Sequence, residues 1–205
     1  MKYYYSLFVD VIKRNLIKFL VIEFLIILLF LFFRNECNLL NFVFGMYLLD
    51  FSDVILMLGR LINTCIIIYI TYNFYLCDMY NSPELLILRR NAKKCFIDKI
   101  ICIILFILFI KFLYSIVLIL FGFNYDFSIL INCIFNVIYL VLLSIGIVNS
   151  FSNNSYFFAV VFVLLFGFNL FYITDFVLLK VCLCVIIFCY DYLTFNYHKI
   201  YDSFI

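Results

Sequence analysis

The sequence predicts an all-α fold: a polytopic membrane protein with six transmembrane helices, an N-terminal amphipathic interfacial helix and a cytoplasmic coupling-type helix between spans two and three. Composition is the first reason. The 205 residues are 69% hydrophobic and 22% aromatic but only 13% charged, with a mean hydropathy of +1.25, whereas water-soluble domains carry roughly 25% charged and about 45–50% apolar residues. Segmentation is the second: six apolar runs, each long enough for about 30 Å of hydrocarbon, alternate with polar stretches. The third is the placement of Lys and Arg, which gather in alternate connections. No internal repeat, Gly/Ser linker or low-complexity tail divides the chain, so residues 1–205 read as a single transmembrane domain.

The first element precedes the first span. Tyr4, Leu7, Phe8 and Val11 fall at i, i+3, i+4 and i+7, while Asp10, Lys13 and Arg14 lie largely off that stripe. Such a helix lies along the inner membrane surface. The spans follow at residues 16–33, 54–77, 100–121, 129–148, 156–173 and 176–193. The first is too long for a signal-peptide core, and Phe33-Arg34-Asn35 offers no small-residue cleavage site, so it is expected to remain as an anchor. Spans five and six are short and joined only by Thr174-Asp175, which suggests a tight outer hairpin.

Orientation follows from the cations. Lys2, Lys13, Arg14 and Lys18 flank the start of span one, Arg89, Arg90, Lys93, Lys94 and Lys99 lie between spans two and three, and Lys199 follows span six. With six crossings these all share one side. The other side holds Arg34 beside Glu36, Asp50, Asp53, Asp126 and Asp175. Both termini are therefore expected in the cytoplasm. The uncharged connection at 149–155 is read as a loop and bears on neither orientation.

The connection at 78–99 is the longest and most charged. Asn81-Ser82-Pro83-Glu84 has the chemistry of a helix start, since Asn81 can cap and Pro83 needs no amide partner in a first turn. Leu85-Leu86-Ile87-Leu88-Arg89-Arg90 then makes a short apolar helix with a basic end, its cations matched to the C-terminal dipole. Asn91-Ala92 breaks it, and Lys93 and Lys94 lead into span three. An oily helix lying flat under the membrane needs a cover, either headgroups or the groove of a soluble partner.

Charged residues inside the apolar runs separate by depth. Arg60 lies about 9 Å and Lys180 about 6 Å below the outer surface, near enough for their stems to snorkel outward toward Asp53 or Asp175. Glu23, about 10 Å from the inner surface, and Lys111, about 16 Å from it, are expected to face the bundle interior and to form an intramembrane polar pair. Asn63, Thr64, Asn73, Asn132, Asn136 and Asn169 add polar groups of the kind that join helices.

Several chemistries have no signature. There is no G-x-x-x-x-G-K-[ST] loop for nucleotide phosphates, and the single histidine, His198, sits in the C-terminal tail away from any Cys or carboxylate cluster. The nine cysteines include no C-x-x-C pair. Cys65, Cys77, Cys102, Cys133, Cys182, Cys184 and Cys189 lie in or beside apolar runs, where Cys behaves as a small hydrophobe. Cys37 and Cys95 are expected on opposite sides of the membrane, so they do not pair. An enzyme is not expected, nor a metal, and a net charge of +2 from 14 basic and 12 acidic residues gives no footprint for nucleic acid.

This topology, with the stretch Glu84-Leu85-Leu86-Ile87-Leu88-Arg89-Arg90-Asn91-Ala92-Lys93-Lys94-Cys95-Phe96-Ile97-Asp98-Lys99, resembles the ABC-2-type permeases, the membrane subunits of type V ABC exporters. The stretch is similar to the loop before span three in small permeases of bacteriocin and lantibiotic immunity and export systems. The resemblance implies a bacterial cell-membrane permease paired with a second permease chain, as a homo- or heterodimer. It also implies a separate cytosolic ABC ATPase that supplies the ATP and Mg chemistry, with no cofactor in this chain. Leu85, Leu86, Leu88 and Arg89 would fill the ATPase groove, while Arg90, Lys93 and Lys94 would meet its acidic rim or the lipid headgroups. The implied cargo is an amphipathic peptide or lipid-like molecule. The two-residue outer connection departs from the family's usual re-entrant helices. Two other readings stand beside it: a membrane substrate-binding subunit of a vitamin uptake system, which would want small residues where span one has bulky ones, and an accessory or immunity membrane protein without an ATPase.

Overall fold

The computed structural model describes Val9, Val21, Phe24, Leu25, Leu28 and residues 54–81, 92–120, 130–171 and 177–195. Among the described residues the fold is all-helical, with five long helices: α1 (Val54–Asn81), α2 (Ala92–Leu120), α3 (Leu130–Ser152), α4 (Tyr156–Phe171) and α5 (Val177–Thr194). They correspond to the apolar runs numbered two to six. Two stretches, Phe96–Val117 and Leu130–Ser152, are long and apolar enough to cross a membrane, and Leu61–Leu76 and Tyr156–Gly167 are shorter apolar helical stretches. The N-terminal amphipathic helix apart from Val9, the first span apart from four helical positions, and the helix expected at 85–90 lie outside the described residues.

The central element is α3, which packs against each of the other four helices and most extensively against α5. Its sequence explains the position: Val137, Tyr139, Leu140, Val141, Leu142, Leu143 and Ile145 are all buried and lie on every side of its middle turns, leaving apolar side chains exposed only toward the ends, at Ile131 and Phe151. A helix apolar on all sides is driven to the interior of a bundle. Around it, α1 contributes Ile66, Ile67, Ile70, Phe74 and Leu76, and α2 contributes Phe96, Ile103, Phe106 and Ile107. The outward faces of the peripheral helices are oily too, with Leu105, Phe109, Phe157, Leu178 and Leu193 all exposed.

Side-chain pairs fix the directions. Asn63 meets Lys111 and Tyr75 meets Lys99, so α1 and α2 run antiparallel in one register. Tyr139 on α3 donates from its hydroxyl to the carbonyl of Leu165 on α4 (3.2 Å), and Phe162 lies against Gly146, which sets α3 and α4 antiparallel. The C-terminal residues Asn149 and Asp191 meet, so α3 and α5 run in parallel. Buried hydroxyls along the way do not seek neighbours: Thr71, Ser115 and Ser144 each donate to the carbonyl four residues earlier.

Three boundaries differ from the sequence reading: residues 92–99, expected in the connection, are the first two turns of α2, and the other two lie at the ends of α1 and α3. α1 continues to Asn81, so the residue expected to cap a new helix closes the old one. Residues 149–152, expected in a loop, are the last turn of α3, and Asn149, Ser150 and Ser152 are buried. The turn that follows has two bonds of a Schellman motif: Ser155 N–H to Ser150 C=O (2.9 Å) and Asn154 N–H to Phe151 C=O (3.1 Å). Asn154 occupies the left-handed position with φ 56°. Ser155 then opens α4, its carbonyl accepting from Phe158 and Ala159.

Candidate functional site

The antiparallel order brings the C-terminal ends of α1, α3 and α5 together with the N-terminal ends of α2 and α4. A buried polar layer occupies that end. Lys99 on α2 donates from Nζ to the Tyr75 carbonyl of α1, and the same ammonium stands 5.0 Å from the centroid of the Tyr75 ring. The Tyr75 hydroxyl donates to Asn149 Oδ1 on α3 (2.9 Å), and Asn149 Nδ2 is 3.4 Å from Asp191 Oδ1 on α5. Four helices are thus joined in sequence by Lys99, Tyr75, Asn149 and Asp191, all buried.

The amide of Asn149 cannot be turned over without loss. Its oxygen accepts from a phenol and its nitrogen faces a carboxylate, so each end of the amide meets the complementary group. Further bonds hold the same layer: Ser150 Oγ and the Tyr190 hydroxyl are 2.9 Å apart, and Asn153 Nδ2 reaches the carbonyls of Asn149 and Thr194, both at 2.9 Å. Aromatic rings close its sides. Phe158 and Phe162 of α4 pack on Tyr190, Phe96 packs on Phe195 at 4.6 Å, and Lys93 Nζ stands 4.8 Å above Tyr192.

Two further lysine–asparagine pairs lie away from that end, the first about 18 Å along α1 and α2, counted at about 1.5 Å per residue from Tyr75 to Asn63 and from Lys99 to Lys111. Lys111 is 1% exposed and donates to Asn63 Oδ1 at 2.6 Å. Lys180 on α5 is 0% exposed and donates to Asn132 Oδ1 on α3 at 2.9 Å. Each ammonium therefore joins two helices through an asparagine oxygen. An isolated buried cation is expensive, and an acceptor held at this distance offsets part of that cost.

The residues singled out by sequence divide as follows. Lys93 and Lys94 are exposed in the first turn of α2, six and five residues before the network's Lys99. Leu85, Leu86, Leu88, Arg89 and Arg90 lie outside the described residues, as does Glu23, so the structure describes only the Lys111 half of the expected intramembrane pair. Arg60 falls on α1, but its side chain is outside the description. Lys180 is a correction: expected to reach outward along its stem, it turns inward to Asn132. Depth alone had assigned it to the surface, whereas its position around the helix decides. Sequence reasoning missed Tyr75, Asn149 and Asp191 altogether. Asp191 carried a readable signal, a carboxylate inside the last apolar run; Tyr75 and Asn149 carried none beyond composition.

The six cysteines Cys65, Cys102, Cys133, Cys182, Cys184 and Cys189 are free thiols, and among the described residues no group of His, Cys, Asp and Glu could hold a metal ion. Comparison of the chain with protein-family models, curated proteins and solved structures gives no match in any of the three.

Proposed function

We propose that this protein is a multi-pass permease of the bacterial cell membrane, the transmembrane subunit of an ATP-driven ABC exporter. Both termini and the connection at 82–91 face the cytoplasm. A separate cytosolic ATPase docks on Leu85, Leu86, Leu88 and Arg89, with Arg90, Lys93 and Lys94 at its rim. A second permease chain completes the pathway, and the cargo is an amphipathic peptide or lipid-like molecule.

The observation that carries the reading is the clamp on either side of that connection. Tyr75 and Lys99 tie the ends of α1 and α2 that flank residues 82–91, and Tyr75 passes the tie to α3 and α5 through Asn149. A pull on the connection would therefore move four helices rather than one. Rigid elements joined by a buried hydrogen-bond network are the physical means by which force at one end of a bundle reaches the other. The basic character of the same connection suits a cytoplasmic position.

Co-purification tests this. Mild-detergent extraction of the tagged chain from its native host is expected to retain an ATPase bearing a Walker phosphate loop. Replacing Leu85, Leu86 and Leu88 together by Asp should release that ATPase while the chain still inserts in the membrane. Retention of the ATPase by the triple variant would rule out the docking role; recovery of the wild-type chain with no ATPase would favour the accessory-protein reading.

A further inference from the structure

The four-residue network ends on a carboxyl group with one oxygen bonded and the other bare. Asp191 is 0% exposed, and among the described residues its Oδ1 meets only the Asn149 amide, at 3.4 Å, while Oδ2 has no hydrogen-bond partner. An ionised carboxylate normally gathers several donors or a cation when it leaves water.

Among the described residues, the groups around it supply neither. From α3 come Asn149 and Gly146, and from α4 the ring of Phe162. From α1 comes the Tyr75 hydroxyl, committed to Asn149, and from α2 Lys99, committed to the carbonyl and ring of Tyr75. On α5 itself the Tyr190 hydroxyl pairs with Ser150, Tyr192 lies under Lys93, and Lys180 is about 16 Å away along the helix.

A bound metal or ammonium ion does not suit the site. Asn149 presents its nitrogen, because its oxygen is held by Tyr75, and a cation wants oxygen ligands. Space is short as well: a single added carbon at Gly146 would stand 3.2 Å from Asp191 Oδ1 and 3.0 Å from Phe162 Cε2. A proton needs neither room nor further ligands.

We propose that Asp191 is a proton-binding site, its carboxyl carrying a proton on Oδ2 at neutral pH while Asn149 holds Oδ1. The neutral acid is compatible with an apolar enclosure; the anion is not. Since both oxygens are enclosed between α3 and α5, the proton leaves only when those helices part enough to admit water. Loss of the proton therefore favours the parted arrangement, and the two events are linked in both directions. This inference stands on the packing of α1 to α5 and holds whether or not an ATPase drives the bundle.

Infrared spectroscopy of the full chain in lipid nanodiscs at pH 7 tests it. Subtracting the Asp191→Asn spectrum from the wild-type spectrum should leave one protonated-carbonyl band per chain. The Asn variant, an isostere of the neutral acid, should keep the wild-type melting temperature. Asp191→Glu should retain the band at a shifted frequency, so the wild-type minus Glu difference gives the same answer if the Asn variant fails to fold. A difference spectrum containing carboxylate bands and no protonated carbonyl overturns the proposal.

Discussion

At the scale of single residues, the account rests on buried polar groups that choose partners on other helices. Asn63 and Asn132 each turn an amide oxygen to a lysine, and Asn149 divides its two ends between a phenol and a carboxyl. A double-mutant cycle on Lys111→Met and Asn63→Leu, read by thermal unfolding in detergent, should give a coupling of about 0.5–3 kcal/mol, the range for residues in direct contact. Additive effects would mean that the 2.6 Å contact does not contribute to stability. The sequence makes Lys111, Asn63 and Asn132 conspicuous as polar residues in apolar runs, and their inward role follows from that. It does not show which way Lys180 turns, because a stem of four carbons can reach either outward to water or inward to Asn132, and only the helix's rotation decides.

At the scale of elements, the five helices follow the apolar runs closely, since hydrophobic length is a local property that a sequence displays directly. Their ends are less legible where the deciding bonds are distant. The last turn of α3 is polar and reads as loop, yet Asn149, Ser150 and Asn153 find partners on α5 or at its end, some forty residues away in sequence. Tertiary satisfaction overrides local composition there. The turn that follows gives a clean test. Asn154 holds φ 56°, a conformation that asparagine tolerates and β-branched side chains resist. Asn154→Val should lower stability by about 1–2 kcal/mol, whereas Asn154→Gly should leave it unchanged or raise it, both read as shifts in melting temperature. Equal behaviour of the two variants would mean that the left-handed position is not maintained.

At the scale of the whole molecule, the alternating order of α1 to α5 puts the turn at 153–154 at the same end of the bundle as the connection at 82–91. Both should therefore be reached from one side of the membrane. In a chain stripped of its native cysteines, a thiol placed at Asn154 or at Ser82 should react with an impermeant maleimide only after the cells are opened, and a thiol at Asn124 should react in intact cells. Labelling of Asn154 and Ser82 from opposite sides would break the shared-end arrangement. The alternation itself was legible as a succession of apolar runs; which end faces the cytoplasm is the expectation drawn from Lys and Arg that this labelling tests. The network that unites the helices was not legible: its members Tyr75, Asn149 and Asp191 are scattered over three helices, and no local pattern relates them.

The transporter reading is tested most directly by a photo-crosslinking amino acid at Leu86, introduced in the native host. The account predicts a covalent adduct with a cytosolic ATPase, weakened or strengthened when the ATP cycle is arrested with vanadate. Adducts with lipid alone, or labelling of the same position from outside intact cells, would contradict it.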